Sequence, residues 1–233
     1  MNILITGHSS GIGNSLLNIF KSKNFNIYGI SRNFSEQIEL SHQLDLDLSK
    51  IDNIKEASIW ASKKKLDIFF HCAGSNPISS ILNASSETYL NCFNLHFLSA
   101  SQISRSCIFN KNKKDFLKIL FLSSIWSVIS AHSRGPYSVA KSSLNCLAKQ
   151  IAVEHGVENV QAVSLALGFV KTGLTELTKE DGKIQNAKER YLFPKNKLVN
   201  PDEVAKLVSQ ISLQDLSLMN GNTLMLDGGI TCQ

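Results

Sequence analysis

Seven short apolar segments alternate with helical segments along almost the whole chain, and this alternation constrains the fold most. Continuous apolar strands separated by helices are typical of a parallel sheet that helices cover on both faces. We therefore expect the α/β class with a doubly wound parallel sheet. The predicted strands are 3–6, 26–31, 43–46, 68–72, 118–123, 160–167 and 223–226, and the predicted helices are 12–23, 51–65, 85–110, 137–155 and 201–212.

Composition favours one globular domain over 1–233. The 233 residues, 43% of them hydrophobic, suffice for a buried core, and no linker or repeat divides the chain. No apolar stretch reaches the ~18 residues that span a bilayer, and we expect no signal peptide before the first strand. The net charge of +5 is mild and gives little support for nucleic-acid binding. We expect neither a membrane nor a nucleic acid as a partner.

The five cysteines are scattered, odd in number and form no Cys-x-x-Cys pair. This pattern argues against a metal cluster and a disulfide framework, and it favours a reducing compartment. We therefore expect no metal and a cytoplasmic location.

A glycine-rich turn follows the first strand and opens the first helix. Gly7, Gly11 and Gly13 stand in Gly-x-x-x-Gly-x-Gly spacing rather than Gly-x-Gly-x-x-Gly. Glycines let the backbone approach a pyrophosphate closely, and a helix N-terminus offers N–H groups to the anion. The turn predicts a dinucleotide site, and a glycine turn without a ligand is the alternative.

A possible proton-transfer group follows the fifth strand. Tyr137 and Lys141 are four positions apart in a predicted helix, so they share one face, and Ser124 lies thirteen positions before Tyr137. A nearby cation lowers the pKa of a phenol, ordinarily about 10. Ser124 is favoured over its neighbour Ser123 by this offset, and its hydroxyl could hold a substrate oxygen beside the phenol. Such a group could protonate a carbonyl without a metal; an exposed Tyr/Lys pair is the alternative.

The segment 173–200 breaks the regular order, because it is rich in Lys, Glu, Thr and Asn and has no clean period. Long irregular insertions in compact domains often serve as lids. We expect a substrate lid here, and a solvated surface segment is the alternative.

Six sequence features occur together and in a fixed order along the chain. They are Thr6-Gly7-x-x-x-Gly11-Ile12-Gly13, Ala73-Gly74, Asn94, Ser124, Tyr137-x-x-x-Lys141 and Asp227-Gly228-Gly229. Together they resemble the short-chain dehydrogenase/reductase superfamily in its compact single-domain form, over essentially the whole chain. The resemblance implies a Rossmann-like fold and hydride transfer between a nicotinamide cofactor and a carbonyl or secondary alcohol.

The resemblance also implies four catalytic positions. Tyr137 matches the acid/base, and Lys141 matches the residue that lowers the pKa of the tyrosine and binds the nicotinamide ribose. Ser124 matches the hydroxyl that orients the substrate oxygen. Asn94 matches an asparagine that holds a water between the lysine and solvent; a polar residue at a helix kink is the alternative.

The end of the second strand bears on the choice of cofactor. Ser31 stands where NAD-using members have an acidic residue, and Arg32 follows it. A guanidinium can bind a 2′-phosphate that a carboxylate would repel. We therefore expect NADP(H) rather than NAD(H), and an ordinary surface arginine is the alternative. Asp47 matches the aspartate at the adenine, with Leu48 beside the ring, and Asp45 remains a competitor.

The other cofactor-binding positions follow from the same resemblance. They are Gly7, Ser9, Ser10, Gly11, Ile12 and Gly13 at the phosphates, Ala73 and Gly74 at the adenosine, and Val170 and Thr172 at the nicotinamide carboxamide.

The chain also departs from the family pattern. His71-Cys72 replaces the usual Asn-Asn, and a structural role is expected for His71. Ser10 replaces a basic residue that many NADP-users carry, and His8 is a weak candidate to substitute for it.

The sequence leaves the substrate open beyond a small carbonyl or alcohol. His132 and Arg134 precede the Tyr137 helix and could meet an anionic substrate or face solvent. Two other functions compete: a lyase, dehydratase or epimerase that uses bound cofactor without net turnover, and a cofactor-binding sensor or partner protein. Family members pair the helices that correspond to 85–110 and 137–155, so we expect a homodimer or homotetramer.

Overall fold

A computed structural model describes residues 1–112, 114–176 and 198–232. Most of the expected lid, 173–200, therefore lies outside the described residues. Among those described, no helix combines the length and hydropathy that crossing a membrane requires.

Seven parallel strands form one sheet in the order β3-β2-β1-β4-β5-β6-β7. The doubly wound α/β fold predicted from the alternation is thus confirmed. The order reverses between β1 and β4, and ligands of such sheets bind in the crevice at that point, beyond the carboxyl ends of the strands. The strands are β1 (Asn2–Thr6), β2 (Asn26–Ser31), β3 (Gln43–Asp45), β4 (Ile68–His71), β5 (Leu117–Ser124), β6 (Val160–Leu167) and β7 (Thr223–Leu226).

Helices cover both faces of the sheet. One face packs against α2, α4 and α5, and the other packs against α1 and α7. Side chains alternate between faces along each strand: Ile119 and Phe121 of β5 join the first core, and Leu120 and Leu122 join the second. The helices are α1 (Gly11–Lys21), α2 (Ile51–Ser62), α3 (Ser86–Phe93), α4 (Ser99–Phe109), α5 (Gly135–His155), α6 (Gly173–Glu176) and α7 (Pro201–Leu213).

The helix predicted over 85–110 is interrupted. A π-helical turn, Asn94–Leu98, separates α3 from α4, and the Ser99 N–H donates to the carbonyl of Asn94 five residues earlier. The Asn94 side chain donates to the Ser49 carbonyl at 3.0 Å, which ties this turn to the loop after β3. Such single turns are frequent at functional sites. Asn94 therefore begins an interruption of the helix, where the sequence analysis left a polar residue at a kink as the alternative.

Candidate active site

The ends of β1 and β4 are joined side by side. The Thr6 hydroxyl accepts from the backbone N–H groups of Cys72 and Ala73, both at 3.2 Å. The glycine turn lies directly against this junction, because a Cβ on Gly7 would stand 2.9 Å from the Ala73 backbone. Gly7 also has φ +70°, which favours glycine. The glycine turn and Ala73-Gly74 thus lie against each other.

The first turn of α1 has the features of an anion site. Ser10 is the N-cap and makes no side-chain capping hydrogen bond. Because its hydroxyl does not accept from the first N–H groups of the helix, these groups can donate to a bound anion. A Cβ on Gly13 would stand 2.3 Å from the Gly7 carbonyl oxygen, so α1 begins in backbone contact with the turn. The Thr172 methyl lies against Gly11. A turn this closely packed leaves room for the pyrophosphate of a dinucleotide beside the helix N-terminus. Larger side chains in the turn would occupy that room.

Arg32 lies at the end of β2 and is exposed. Burial works to raise the pKa of Asp47, but hydrogen bonds from Ser49 and the charges of Arg32 and Lys50 hold it below its ordinary value. Arg32 and Asp47 therefore lie near each other, beyond the carboxyl ends of β2 and β3. The Ser31 hydroxyl donates to the Asn33 carbonyl at 2.6 Å and is occupied by its own turn.

The other cofactor candidates differ in how far they are exposed to solvent. Leu48 and Val170 are buried, Ser9 is half-buried and Asp45 is exposed on β3.

His8 does not take over the role of the missing basic residue at Ser10. Its ring is fully buried under β2, where a Cβ on Gly29 would stand 2.5 Å from it, and it contacts the Gln43 side chain at 3.3 Å. Burial lowers the pKa of His8, so the imidazole is neutral at physiological pH. A neutral, buried ring cannot attract a phosphate.

Ser124, Tyr137 and Lys141 come together at the carboxyl end of β5. Ser124 ends the strand, and its hydroxyl accepts from the Trp126 N–H at 3.2 Å and acts to lower the pKa of the Tyr137 phenol. The Lys141 Nζ lies 5.7 Å from the centre of the Tyr137 ring and donates to the Leu122 carbonyl at 2.5 Å. The Ser123 hydroxyl instead donates to the Lys141 carbonyl, so it points under α5 and away from the phenol.

The pKa values of Tyr137 and Lys141 differ from what their spacing alone predicts. Burial raises the pKa of the Tyr137 phenol to about 12, and the Ser124 hydroxyl and the Arg134 charge only partly oppose it. Burial lowers the pKa of Lys141 to about 8. The lowered phenol pKa expected from Lys141 is therefore wrong for the protein alone, because desolvation outweighs the charges around the phenol. The phenol stays protonated at neutral pH.

His96 is a site residue that the sequence analysis missed. It lies on the π-helical turn, fully buried, and its ring meets the Tyr137 ring edge-on with centroids 5.6 Å apart. Its Nε2 lies 2.9 Å from the Ser75 carbonyl, and a Cβ on Gly74 would stand 2.7 Å from the ring. Burial lowers the pKa of His96 well below its usual value. The only signal in the sequence was its place two residues after Asn94.

His71 has the structural role that was expected. Its Nδ1 lies 3.0 Å from the Thr6 hydroxyl, at the junction of β1 and β4. Burial lowers the pKa of His71 to about 3, helped by the charge of Lys141, so the ring is neutral.

Comparison with known proteins supports the same family. The family model described as enoyl-(acyl carrier protein) reductase matches residues 10–231. The 3-oxoacyl-(acyl-carrier-protein) reductase FabG of Buchnera aphidicola is 25% identical over 97% of this chain and 96% of its own length. A short-chain type dehydrogenase/reductase of Sinorhizobium fredii is 23% identical over 97% of this chain, which spans only 43% of that relative.

Solved structures share the fold along the whole chain. A 4-hydroxyisoleucine dehydrogenase complexed with NADH has a TM-score of 0.87 at 21% identity, covering 100% of this chain and 99% of its own. A structure described as a putative NAD(P)-dependent gluconate 5-dehydrogenase from Beutenbergia cavernae, with bound NADP, has a TM-score of 0.88 at 18% identity, covering 100% and 97%. The family model, the relatives and the sheet order agree: the chain belongs to the short-chain dehydrogenase/reductase superfamily and is an oxidoreductase.

Proposed function

We propose that the protein is an NADP(H)-dependent oxidoreductase that interconverts a carbonyl and a secondary alcohol, with Tyr137 as the acid/base. The observation that carries this proposal is the convergence of Ser124, Tyr137 and Lys141, with the Lys141 Nζ 5.7 Å from the centre of the Tyr137 ring, at the strand edge that also holds the glycine turn. When bound at this edge, a nicotinamide cofactor would supply or accept the hydride.

Ser124 and Tyr137 divide the work on the substrate oxygen. The Ser124 hydroxyl donates to the carbonyl oxygen and holds it beside the phenol. The phenol donates its proton to that oxygen during reduction, which requires a protonated tyrosine. A phenol pKa of about 12 meets this requirement at neutral pH.

Lys141 and Asn94 act behind the phenol. Lys141, with a pKa of about 8, is largely charged at neutral pH and would hold the ribose of the cofactor. Asn94 already uses its carbonyl and side chain to build the π-helical turn. In addition to this structural role, Asn94 would hold a water that connects Lys141 to solvent.

The cofactor is held along the strand ends. The first turn of α1 would bind the phosphates, and Arg32 would meet the adenosine ribose, because the Ser31 hydroxyl is engaged by the Asn33 carbonyl. The remaining contacts are Ser9, Ser10, Ile12, Asp47, Leu48, Ala73, Gly74, Val170 and Thr172.

Replacing Arg32 by alanine is expected to weaken NADPH binding about tenfold and to leave NADH binding within about twofold, because only NADPH carries the 2′-phosphate. Calorimetric titration of both cofactors measures this. Arg105→Ala, which removes an exposed arginine on α4, is the control and should change neither affinity. A wild-type preference for NADH that survives in Arg32→Ala would contradict the NADP assignment.

We also propose a cytoplasmic homo-oligomer. All five cysteines are free thiols, which suits a reducing compartment. Large apolar side chains on α4 and α5 are exposed, including Phe109 (83%), Val139 (56%) and Val153 (81%). Such surfaces favour association. Light scattering is expected to give the mass of a dimer or tetramer, and a monomer mass would contradict it.

The oxidoreductase function itself is tested by carbonyl-dependent loss of NADPH absorbance over a panel of ketones and aldehydes. Cofactor binding without any turnover would instead favour a sensor, or a lyase or epimerase that retains its cofactor.

A further inference from the structure

A buried glutamine on β3 connects the glycine turn to the segment that begins with Arg32. Gln43 opens β3 opposite Gly29 of β2, and only 3% of it is exposed. The His8 ring, which belongs to the glycine turn, lies in the space that Gly29 leaves, and its Nε2 is 3.3 Å from the Gln43 Oε1. The described residues 32–39 form neither helix nor strand.

The Gln43 side chain uses its whole hydrogen-bonding capacity. Its Nε2 donates to the Ser35 carbonyl at 2.8 Å and to the Ile38 carbonyl at 2.7 Å, and its Oε1 accepts from the Ser35 N–H at 2.7 Å. Because an amide oxygen can only accept, the His8 Nε2 donates the second hydrogen bond to it. A buried network whose members are satisfied in this way rigidifies the backbone that it contacts.

Gln43 holds the segment 32–38 at its middle and at its end. Ser35, which both donates to and accepts from Gln43, lies three residues after Arg32. Phe34, beside Ser35, is 53% exposed, so its side chain contributes little packing that could hold the segment instead. The bonds of Gln43 therefore guide the path that the backbone takes after Arg32.

We propose that Gln43 is a positioning residue for the choice of cofactor: with His8, it holds the segment 32–38 so that Arg32 is in place for the 2′-phosphate of NADP(H) before the cofactor binds. A segment that is fixed in advance loses less conformational freedom on binding, which strengthens the contact that it makes. NADH has no 2′-phosphate and gains nothing from this arrangement. The proposal rests on the assignment of NADP(H) and Arg32 above.

Replacing Gln43 by methionine keeps the length of the side chain and removes its four hydrogen bonds. We expect NADPH affinity to fall about five- to tenfold and NADH affinity to stay within about twofold of wild type. Calorimetric titration of the full-length protein measures both. A merely structural role would weaken the two cofactors alike and leave the ratio of their affinities unchanged, which would contradict the proposal.

The double variant Gln43→Met/Arg32→Ala tests whether Gln43 acts through Arg32. If it does, the double variant binds NADPH as Arg32→Ala does, within about twofold, because the guanidinium that Gln43 positions is already absent. Losses that multiply instead, to about 50- to 100-fold, would show that Gln43 acts independently of Arg32 and would overturn the proposal.

Gln161→Met is the matched control. Gln161 is also a buried glutamine on a strand, 6% exposed, and its side chain donates to the Asp215 Oδ1 at 2.6 Å and accepts from the Leu216 N–H at 2.9 Å. It lies near the beginning of β6, away from the carboxyl ends of the strands. We expect this variant to lower the melting temperature and to leave the ratio of NADPH to NADH affinity unchanged.

Amide hydrogen exchange in the cofactor-free wild type measures the positioning directly. The Ser35 N–H, which donates to the Gln43 Oε1, is expected to exchange at least about tenfold more slowly than an unprotected amide and to lose this protection in Gln43→Met. A Ser35 amide that exchanges freely until NADPH binds would show that the segment is not held in advance. If Gln43→Met does not fold, this measurement and the milder Gln43→Asn, whose amide is set closer to the backbone, take its place.

Arg32→Ala separates the role of Gln43 from the cofactor assignment. Undiminished NADPH affinity in Arg32→Ala contradicts the assignment and the role of Gln43 together. A loss in Arg32→Ala beside normal NADPH affinity in Gln43→Met contradicts the role of Gln43 alone.

Discussion

Replacing Tyr137 by phenylalanine is expected to lower carbonyl-dependent NADPH oxidation about 1,000-fold. The substitution removes the phenol hydroxyl beside Ser124 and Lys141, and with it the proton that we propose for the substrate oxygen. General acid catalysis by a positioned side chain contributes about 100- to 10,000-fold. The ring itself, which packs edge-on against His96, is kept. The loss should therefore appear in kcat, with NADPH affinity within about threefold of wild type.

Tyr28→Phe provides the matched control for this experiment. The Tyr28 ring lies on β2 against His42 and Trp60, with centroids 4.7 and 5.9 Å away, outside the proposed site. Removing its hydroxyl should leave turnover unchanged. Stopped-flow or steady-state absorbance measures both variants. Undiminished turnover in Tyr137→Phe would show that another group protonates the substrate.

Replacing Gly13 by alanine is expected to destabilise the fold by about 2–4 kcal/mol and to abolish measurable NADPH binding. The added Cβ would stand 2.3 Å from the Gly7 carbonyl oxygen, a backbone atom that cannot rotate away. Helix α1 must then separate from the glycine turn, which disrupts the N–H groups proposed to hold the phosphates. Thermal unfolding and calorimetric titration measure the two effects.

Gly173→Ala is the control for stability. A Cβ on Gly173 has nothing within 4 Å, and the residue opens α6. Its melting temperature should equal that of wild type within error. If Gly13→Ala melts at the wild-type temperature and binds NADPH normally, the close contact between the turn and α1 is not required.

The sheet could be predicted because burial on both faces makes its strands apolar throughout. Each of the seven predicted strands is present, with ends that differ by no more than one residue, as for β5 (Leu117–Ser124). Ser124, Tyr137 and Lys141 could be predicted from the sequence as well. Residues four apart on a helix lie on one face, and residues at the carboxyl ends of parallel strands line the ligand crevice.

The interrupted helix could not be predicted in the same way. Phe93, Leu95 and Leu98 continue an ordinary helical pattern across it. The π-helical turn is accompanied by the bond from Asn94 to the Ser49 carbonyl, 45 residues away in the chain. A contact between residues so far apart in the chain produces no recognisable local pattern in the sequence.

By itself, the sequence determined the parallel sheet, the strand edge at which the ligand would bind, and the three residues that meet there, since these follow from hydrophobic periodicity and local spacing. Only the tertiary structure decided which polar side chains are buried and therefore how they are charged. His8 and His96 are neutral because Gly29 and Gly74, distant in sequence, leave room for their rings. Arg134 faces inward because Asn76 orients it. The protonation of Tyr137 depends on the same packing, because desolvation is set by every neighbour that surrounds the phenol.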